Sequence, residues 1–247
     1  MNSSTDDRPE VLVLTHRDQL DTTRLAGKVI VVLDIIFATS SMITAFTHGL
    51  RECIPAPDAS RARELGDGAA DVILAGEKNA EVPDGFAHFA PLQLIKQPLA
   101  DCTLIFCSTN GAPALTLAAS GPHVYAGALL NRRVLCRQLL TRHAGQSVIF
   151  VCAGSAGGFC LEDFYGAGAF VCELQERGGD WSLTDSARAA LAAYRHYDVA
   201  EAVVDSRVGR WMSNLSLDQD LHHCTQLDVV DVVPRMHGDR LLPEPPG

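Results

Sequence analysis

Two adjacent carboxylates, Glu162 and Asp163, follow a glycine-rich run, Gly154-Ser155-Ala156-Gly157-Gly158, in a chain of 247 residues. The apolar stretch Val148 to Cys152 precedes the glycines, and a small-residue segment through Phe170 follows the acids. Such an apolar run suits a strand buried on both faces. A strand end, a glycine-rich loop and a helix start together offer bare backbone N–H groups at a positive dipole end, which attracts anions. Two carboxylates beside an anion repel it unless a cation intervenes, so the pattern points to phosphate with Mg²⁺. Without that chemistry the same residues form a tight strand-to-helix turn whose acids favour the helix start.

Two more segments share this grammar of apolar strand, small polar residues and helix. Asp34 with Thr39-Ser40-Ser41 follows Lys28 to Leu33, and Ser108-Thr109-Asn110-Gly111 follows Cys102 to Cys107. A further strand, Asp71 to Ala75, delivers Glu77. One such turn is weak evidence, because Ser, Thr and Asn cap helices everywhere. Several in one chain say more, since open α/β sheets bind ligands beyond the carboxyl ends of their strands. If these strands are parallel neighbours, their ends meet in one crevice. That crevice holds the acids Asp34, Glu77, Glu162 and Asp163, whose hard oxygens suit Mg²⁺. Thr39, Ser40, Ser108, Thr109, Asn110 and Ser155 add donors for phosphate oxygens. Other phosphate signatures are missing. Neither Cys107 nor Cys152 precedes an arginine at cysteine-phosphatase spacing, Asp34-Ile35-Ile36-Phe37 lacks the second acid of a D-x-D motif, and no G-x-x-x-x-G-K-[ST] occurs.

The elements that must position these residues alternate. Strands are expected at 11–14, 28–33, 51–56, 71–75, 102–107, 123–126 and 148–152, with helices at 38–49, 58–65, 112–119 and 130–142. Residues 78–97 lack a clear period and contain Pro83, Gly85 and Pro91, which predicts a long loop over one face. Beyond Gly179 the pattern turns helical, at 183–195, 199–214 and 219–224, before a last strand at 228–233 and a proline-rich tail. Strands alternating with helices predict an α/β fold, three-layer α/β/α, with a mainly parallel or mixed sheet and a helical C-terminal portion, one unit over 1–247. Hydrophobic content of 47% and charged content of 20% fit a folded globular protein. A net charge of −10 argues against broad nucleic-acid binding. No apolar run is long enough to span a bilayer, and the polar, acidic 1–10 segment is unlike a secretory signal, so a cytoplasmic protein is expected. The eight cysteines form no C-x-x-C pair and read as reduced core thiols.

The chain resembles the 2-phosphosulfolactate phosphatase family, Mg²⁺-dependent acid phosphatases of coenzyme M biosynthesis. The resemblance runs over nearly the whole chain. It is carried by Val31 to Ser41, Ala75-Gly76-Glu77, Ser108 to Gly111 with Ala114-Leu115, Asn131, and above all Cys152 to Asp163 with Ala167-Gly168. Ser206, Gly209 and Asp220 match more loosely. It implies hydrolysis of a small anionic phosphate monoester, with Asp34, Glu162 and Asp163 catalytic and Mg²⁺ held by a subset of Asp34, Glu77, Glu162 and Asp163. Thr39, Ser40, Ser108, Thr109, Asn110, Gly111, Asn131, Gly154 and Ser155 would hold the ester. A metal-activated water or Asp34 itself would attack phosphorus.

Two departures qualify the resemblance. The family usually has arginine where this chain has Phe37, and its Gly-Asn-Ser-Pro turn is altered, Gly85-Phe86 running into Ala87-His88-Phe89-Ala90-Pro91. A phenyl ring cannot replace a guanidinium fork for an anion. A relative that has lost catalysis and binds a small ligand or protein is therefore the alternative. A third reading keeps the chemistry on a less anionic or more apolar ester, with Phe37 lining its pocket. A homodimer is expected only because such assemblies are common. His222-His223 read as surface or core residues, Trp181 and Trp211 as packing, and Arg132-Arg133 as a solvated helix face. Arg207 and Arg210 are secondary candidates, and His88 in the altered loop is either a partial substitute for a lost donor or a surface histidine.

Overall fold

Val29 to Leu33 carry no polar side chain and are fully buried. Ile30 and Val32 enter one apolar cluster, and Val29, Val31 and Leu33 enter another on the opposite face. Such a strand needs cover on both sides, and the chain supplies helices for both. The structure, a computed structural model, describes residues 8–245. Its elements in order are β1 (Glu10–Leu14), β2 (Val29–Leu33), α1 (Ala38–Phe46), β3 (Glu52–Ala56), α2 (Ala59–Gly66), β4 (Val72–Gly76) and α3 (Pro91–Leu94). There follow β5 (Thr103–Cys107), α4 (Gly111–Ala118), β6 (His123–Gly127), α5 (Arg132–Arg142), β7 (Val148–Cys152), α6 (Leu161–Glu176), β8 (Ser182–Leu183) and α7 (Asp185–His196). The last are α8 (Arg207–Asn214), α9 (Asp218–Cys224), β9 (Val233–His237) and β10 (Arg240–Glu244). Among the described residues no helix is long and apolar enough to cross a membrane.

The sheet is mixed and ten-stranded, in the order β4-β5-β3-β10-β9-β6-β2-β7-β1-β8. It consists of two parallel blocks, β4-β5-β3 and β6-β2-β7-β1-β8, joined by the antiparallel hairpin β9-β10. The contacts β3–β10, β10–β9 and β9–β6 are all antiparallel, so the two blocks run in opposite directions. Asp34 and Glu77 therefore do not end on neighbouring parallel strands as the sequence suggested. In a flat sheet their strand ends would point to opposite edges. Twist of roughly 20–25° per step, over the five steps from β5 to β2, turns the two blocks towards each other. They close on a shared core in which Ile30, Val32, Leu104 and Phe106 meet Met42 of α1 and Leu115 of α4. Outside, α5, α6 and α7 cover the longer block and α2 the shorter.

Four expectations are corrected. The helix foreseen over 199–214 is broken: a π-turn at Ala200–Val204 ends before Ser206, whose Oγ accepts the Gly209 N–H at 2.9 Å and restarts the chain as α8. The helix foreseen through Gly49 stops at Phe46. Residues 228–232 are not a strand, because the Asp228 carboxylate turns to Arg132. The strands instead occupy the proline-rich stretch beyond, where Pro234 and Pro243 stand opposite each other. Counted from the two-residue turn Gly238-Asp239, that pair falls on a non-hydrogen-bonded position, where neither ring is asked for an N–H.

The hairpin is anchored through charges and rings. Glu244 accepts from Arg235 at 2.9 Å and Arg142 at 3.0 Å, Arg235 lies 2.8 Å from His123 Nδ1, and His143 Nε2 lies 2.9 Å from the Tyr125 hydroxyl. Burial holds the pKa of both His123 and His143 below the usual imidazole value; the other imidazole and Arg235 depress His123 further, and Arg235 also acts on His143. A depressed histidine favours the fold while neutral, so stability is full above about pH 6.5 and declines as pH falls through the folded values. Urea unfolding at pH 7.5, 6.5 and 5.5 should show that decline, with a shallower slope for His143→Gln; equal slopes would place the titrating groups elsewhere.

Candidate active site

Asp34 ends β2, and the turn beyond it is fixed by Thr39. Thr39 Oγ1 accepts the Asp34 N–H at 3.0 Å and lies 2.8 Å from the Gly127 carbonyl of β6. The Asp34 carboxyl is 7% exposed and faces the starts of two helices, with Ala38 N at 3.4 Å and the Gly111 amide. Burial pushes its pKa up to about 7, the Glu77 charge and then Glu162 adding to the effect. Gly111 is required by contact: a Cβ there would lie 2.5 Å from both Asp34 Oδ2 and Ala38 Cβ. Gly111→Ala is expected to displace the Asp34 carboxylate and lower turnover by about 100-fold while the protein stays folded, read by steady-state kinetics beside a melting curve. Unchanged turnover would show that Asp34 tolerates the shift.

Glu77 leaves β4 and clamps the end of β5. Its Oε1 accepts Thr109 N–H at 2.6 Å, and its Oε2 accepts Ala80 N–H and the Thr109 hydroxyl, each at 2.8 Å. Asp163, in the first turn of α6, clamps the longer block in the same manner. It accepts Ile35 N–H at 2.9 Å and Gly154 N–H at 3.1 Å, tying the end of β2 to the end of β7. Burial raises its pKa, followed by the charges of Asp34 and Glu162. Glu162 is also buried, with its pKa raised first by burial and lowered in part by Cys160, Ser206 and the Arg207 charge.

These groups surround one cleft that opens to solvent. Asp34, Glu77, Glu162 and Asp163 line it, as do Ser108, Thr109, Asn110, Gly154 and Ser155. Thr39, Ser40, Gly111 and Asn131 do not. Ser40 is fully buried and donates to the Ile35 carbonyl at 2.9 Å. Asn131 is fully buried, accepting Ala128 N–H at 3.0 Å and donating to the Val232 carbonyl at 3.0 Å. Their polar atoms satisfy backbone and shape the turns behind the cleft instead of reaching a substrate. Ser108 lines the wall, yet its Oγ caps α4 by accepting Ala112 N–H at 2.8 Å.

Sequence reasoning missed two contributors. Arg17, in a polar stretch with no periodic signal, donates to Asn110 Oδ1 at 2.9 Å and to the Ala153 carbonyl at 3.1 Å, a strut between the ends of β5 and β7. Trp211, expected to be packing, stands 40% exposed on the cleft wall beside Val208 and Met212. Positions 208, 211 and 212 share one helical face, which was the available signal. Of the secondary candidates, Arg207 lines the cleft, its Nη2 donating to the Ser155 carbonyl at 3.3 Å. Arg210 and His88 do not line it; His88 stacks on Phe89 at 4.5 Å. Arg132 is not a solvated residue but a buried partner of Asp228 and Glu173. His223 bonds Thr44 Oγ1 at 2.9 Å.

Among the described residues no group of three or more His, Cys, Asp or Glu side chains is arranged to hold a metal ion by itself. Mg²⁺ needs no such cage, because it keeps several waters and binds through one or two carboxylates plus substrate phosphate oxygens. Glu77 and Asp163 have both oxygens occupied by backbone donors. Asp34 and Glu162 fit the smaller requirement: both are buried, face the cleft, and carry the raised pKa that a divalent cation relieves.

Buried acids and glycine-rich backbone at strand ends, around a cleft in a doubly covered sheet, define an α/β enzyme of phosphate-ester chemistry. A sequence profile of the family described as 2-phosphosulpholactate phosphatase matches residues 14–239, and the chain belongs to that family, whose members are phosphoric monoester hydrolases. A protein of Clostridium novyi (strain NT), described as a probable 2-phosphosulfolactate phosphatase, is 33% identical over 218 residues, 87% of this chain and 91% of its own. Proteins of the same description from Clostridium beijerinckii (strain ATCC 51743 / NCIMB 8052) and Caldanaerobacter subterraneus subsp. tengcongensis are 28% and 30% identical, over 94% and 86% of this chain and 98% and 89% of their own.

Proposed function

We propose that this cleft hydrolyses a small phosphate monoester with the help of Mg²⁺, water replacing the organic oxygen on phosphorus to give the alcohol and inorganic phosphate. The observation that carries the reading is the convergence of Asp34 and Glu162, two buried carboxylates with raised pKa values, on one cleft beside the glycine-rich Gly154–Gly158 turn. Mg²⁺, when bound, would supply charge for the phosphate oxygens and acidify water, with Asp34 and Glu162 as its protein ligands. The chain's own residues do the rest. Arg207 offers a donor fork to non-bridging oxygens. Glu77 and Asp163 hold the strand ends so that the cleft is formed before substrate arrives. Asp34 also stands where it could attack phosphorus or take a proton from water.

The names of the relatives make 2-phosphosulfolactate the first ester to test. Phosphate release from it and from a panel of small esters, with Mg²⁺ or with EDTA, should show metal-dependent turnover, and Mg²⁺ alone should raise the melting temperature. Release that ignores EDTA would remove the metal from the proposal. No release from any ester by folded protein would leave a cleft that binds without hydrolysing. The proposal extends to a cytoplasmic protein, supported by eight cysteines that are all free thiols, and to a homodimer.

A further inference from the structure

Asn110 holds the N-cap position of α4, where an asparagine oxygen usually accepts an N–H of the first turn, yet its side chain makes no capping bond. Ser108 fills that role, its Oγ accepting the Ala112 N–H at 2.8 Å. The Asn110 amide is turned elsewhere: its Oδ1 accepts from Arg17 Nη1 at 2.9 Å. Asn110 lines the cleft and Arg17 does not, so the partner of this amide stands behind it.

A guanidinium carries donors only, and the amide atom that faces it must be the oxygen. The opposite end, Nδ2 with its two N–H donors, makes no hydrogen bond among the described residues. Arg17 is itself held against the longer block of the sheet. The same Nη1 donates to the Ala153 carbonyl at 3.1 Å, and Ala153 N–H donates at 2.8 Å to the carbonyl of Leu33, one residue before Asp34. The short turn Arg17–Gln19 is started by His16, whose Nδ1 accepts the Asp18 N–H at 3.3 Å. His16 is buried, and a Cβ on Gly154 would lie 2.2 Å from its Cδ2. Asn110 follows β5 of the shorter block and Asp34 ends β2 of the longer. The bond through Arg17 therefore sets a donor of one half at a fixed place relative to the acid of the other.

We infer that Arg17 is a positioning residue: it holds the Asn110 amide with Oδ1 turned away and Nδ2 presented to the cleft, as a donor to a non-bridging phosphate oxygen. Without Arg17 the amide is free to cap α4 in the ordinary way, which takes Nδ2 out of place. The inference rests on the phosphatase reading and deepens it, and phosphate binding tests it apart from turnover. Asn110→Ala is expected to lower kcat/KM about 100-fold, the loss that follows removal of one charge-stabilising donor. Arg17→Ala should lower it about tenfold, the weight of one capping bond that the amide would have to give up. Because both act on one donor, the double variant should lose no more than about the 100-fold of Asn110→Ala alone. With Mg²⁺ present, the affinity for inorganic phosphate in calorimetric titration should fall in the same order. Asn110→Asp keeps an oxygen for Arg17 and adds an ion pair, so it should hold the melting temperature while phosphate affinity falls at least as far as in Asn110→Ala.

A double variant that loses about 1,000-fold, the product of the two single losses, means that Arg17 acts without Asn110 and overturns the inference. Asn110→Asp with phosphate affinity unchanged overturns it too, as does a folded Arg17→Ala with neither readout moved. Absence of turnover on every ester, with phosphate affinities ordered as expected, overturns the hydrolase reading alone. An unaltered protein that binds no phosphate in the presence of Mg²⁺ overturns both.

Discussion

Asp34→Asn should abolish phosphate release, by a factor of about 10⁴ or more, in a protein that still folds. The substitution keeps the shape of the side chain and leaves Oδ1 to accept the Ala38 amide. It removes the negative charge that either route requires, whether Asp34 holds the metal or attacks phosphorus. Losses of this size accompany removal of one essential group from a reacting set. The Mg²⁺-induced rise in melting temperature should shrink in the same variant, which ties the kinetic loss to the cation. Asp34→Glu separates the two routes: a longer carboxylate can still hold a metal, whereas a displaced nucleophile cannot reach phosphorus. Turnover above one tenth of the original in Asp34→Asn would remove Asp34 from the chemistry. Asp163→Asn should behave differently, because both Asp163 oxygens accept backbone N–H groups. An amide presents a donor to one of them, so the loss should fall on stability as well as turnover.

Arg132→Ala is expected to cost about 3 kcal/mol of stability, the lower end for breaking a buried ion pair, and to lower the melting temperature by roughly 6–12 °C in a chain of this size. Arg132 Nη2 lies 2.5 Å from Asp228 Oδ2 and 3.2 Å from Glu173 Oε2, and Nη1 donates to the Tyr194 hydroxyl at 3.2 Å. The guanidinium holds the Asp228 carboxyl below its usual pKa despite burial. Without it, two nearly buried carboxylates keep only Arg133 and Arg177, whose side chains are 62% and 37% exposed. Arg132→Met with Asp228→Leu should recover part of the loss, because a matched apolar pair leaves fewer buried charges unpaired. Chemical denaturation checks both; a loss below 1 kcal/mol would mean that the remaining arginines suffice.

The strands β2, β5 and β7 were legible because each is buried on both faces and reads as a continuous apolar run; β4, a half-buried edge strand, was legible from its short apolar run alone. The small polar residues at their ends were legible as a group, but their individual directions were not. Thr39, Ser40 and Asn131 have the same chemistry as Ser108 and Asn110, and only the packed fold shows which of them turn to backbone. Glu77 and Asp163 read as ligands, and the structure shows both accepting backbone N–H groups that tie strand ends together, a second use of a carboxylate that its place in the sequence does not reveal. The opposed blocks could not be read at all. They follow from a hairpin whose prolines hide it from any propensity argument, and from twist accumulated over the strands between. Trp211 was misjudged because residues 199–214 read as one helix, and the break before Ser206 is what aims α8 at the cleft.

That hairpin sets an order of events during synthesis. β9 and β10 are the last described elements to leave the ribosome, yet they fill the middle of the sheet. Until they emerge, β3 and β6 are unprotected edges of two half-sheets, open to pairing with other chains. The cleft draws Glu77 and Asn110 from one half and Asp34, Gly154 and Glu162 from the other. A nascent chain stalled before Val233 would therefore hold every cleft residue while its two half-sheets still lacked the hairpin that joins them.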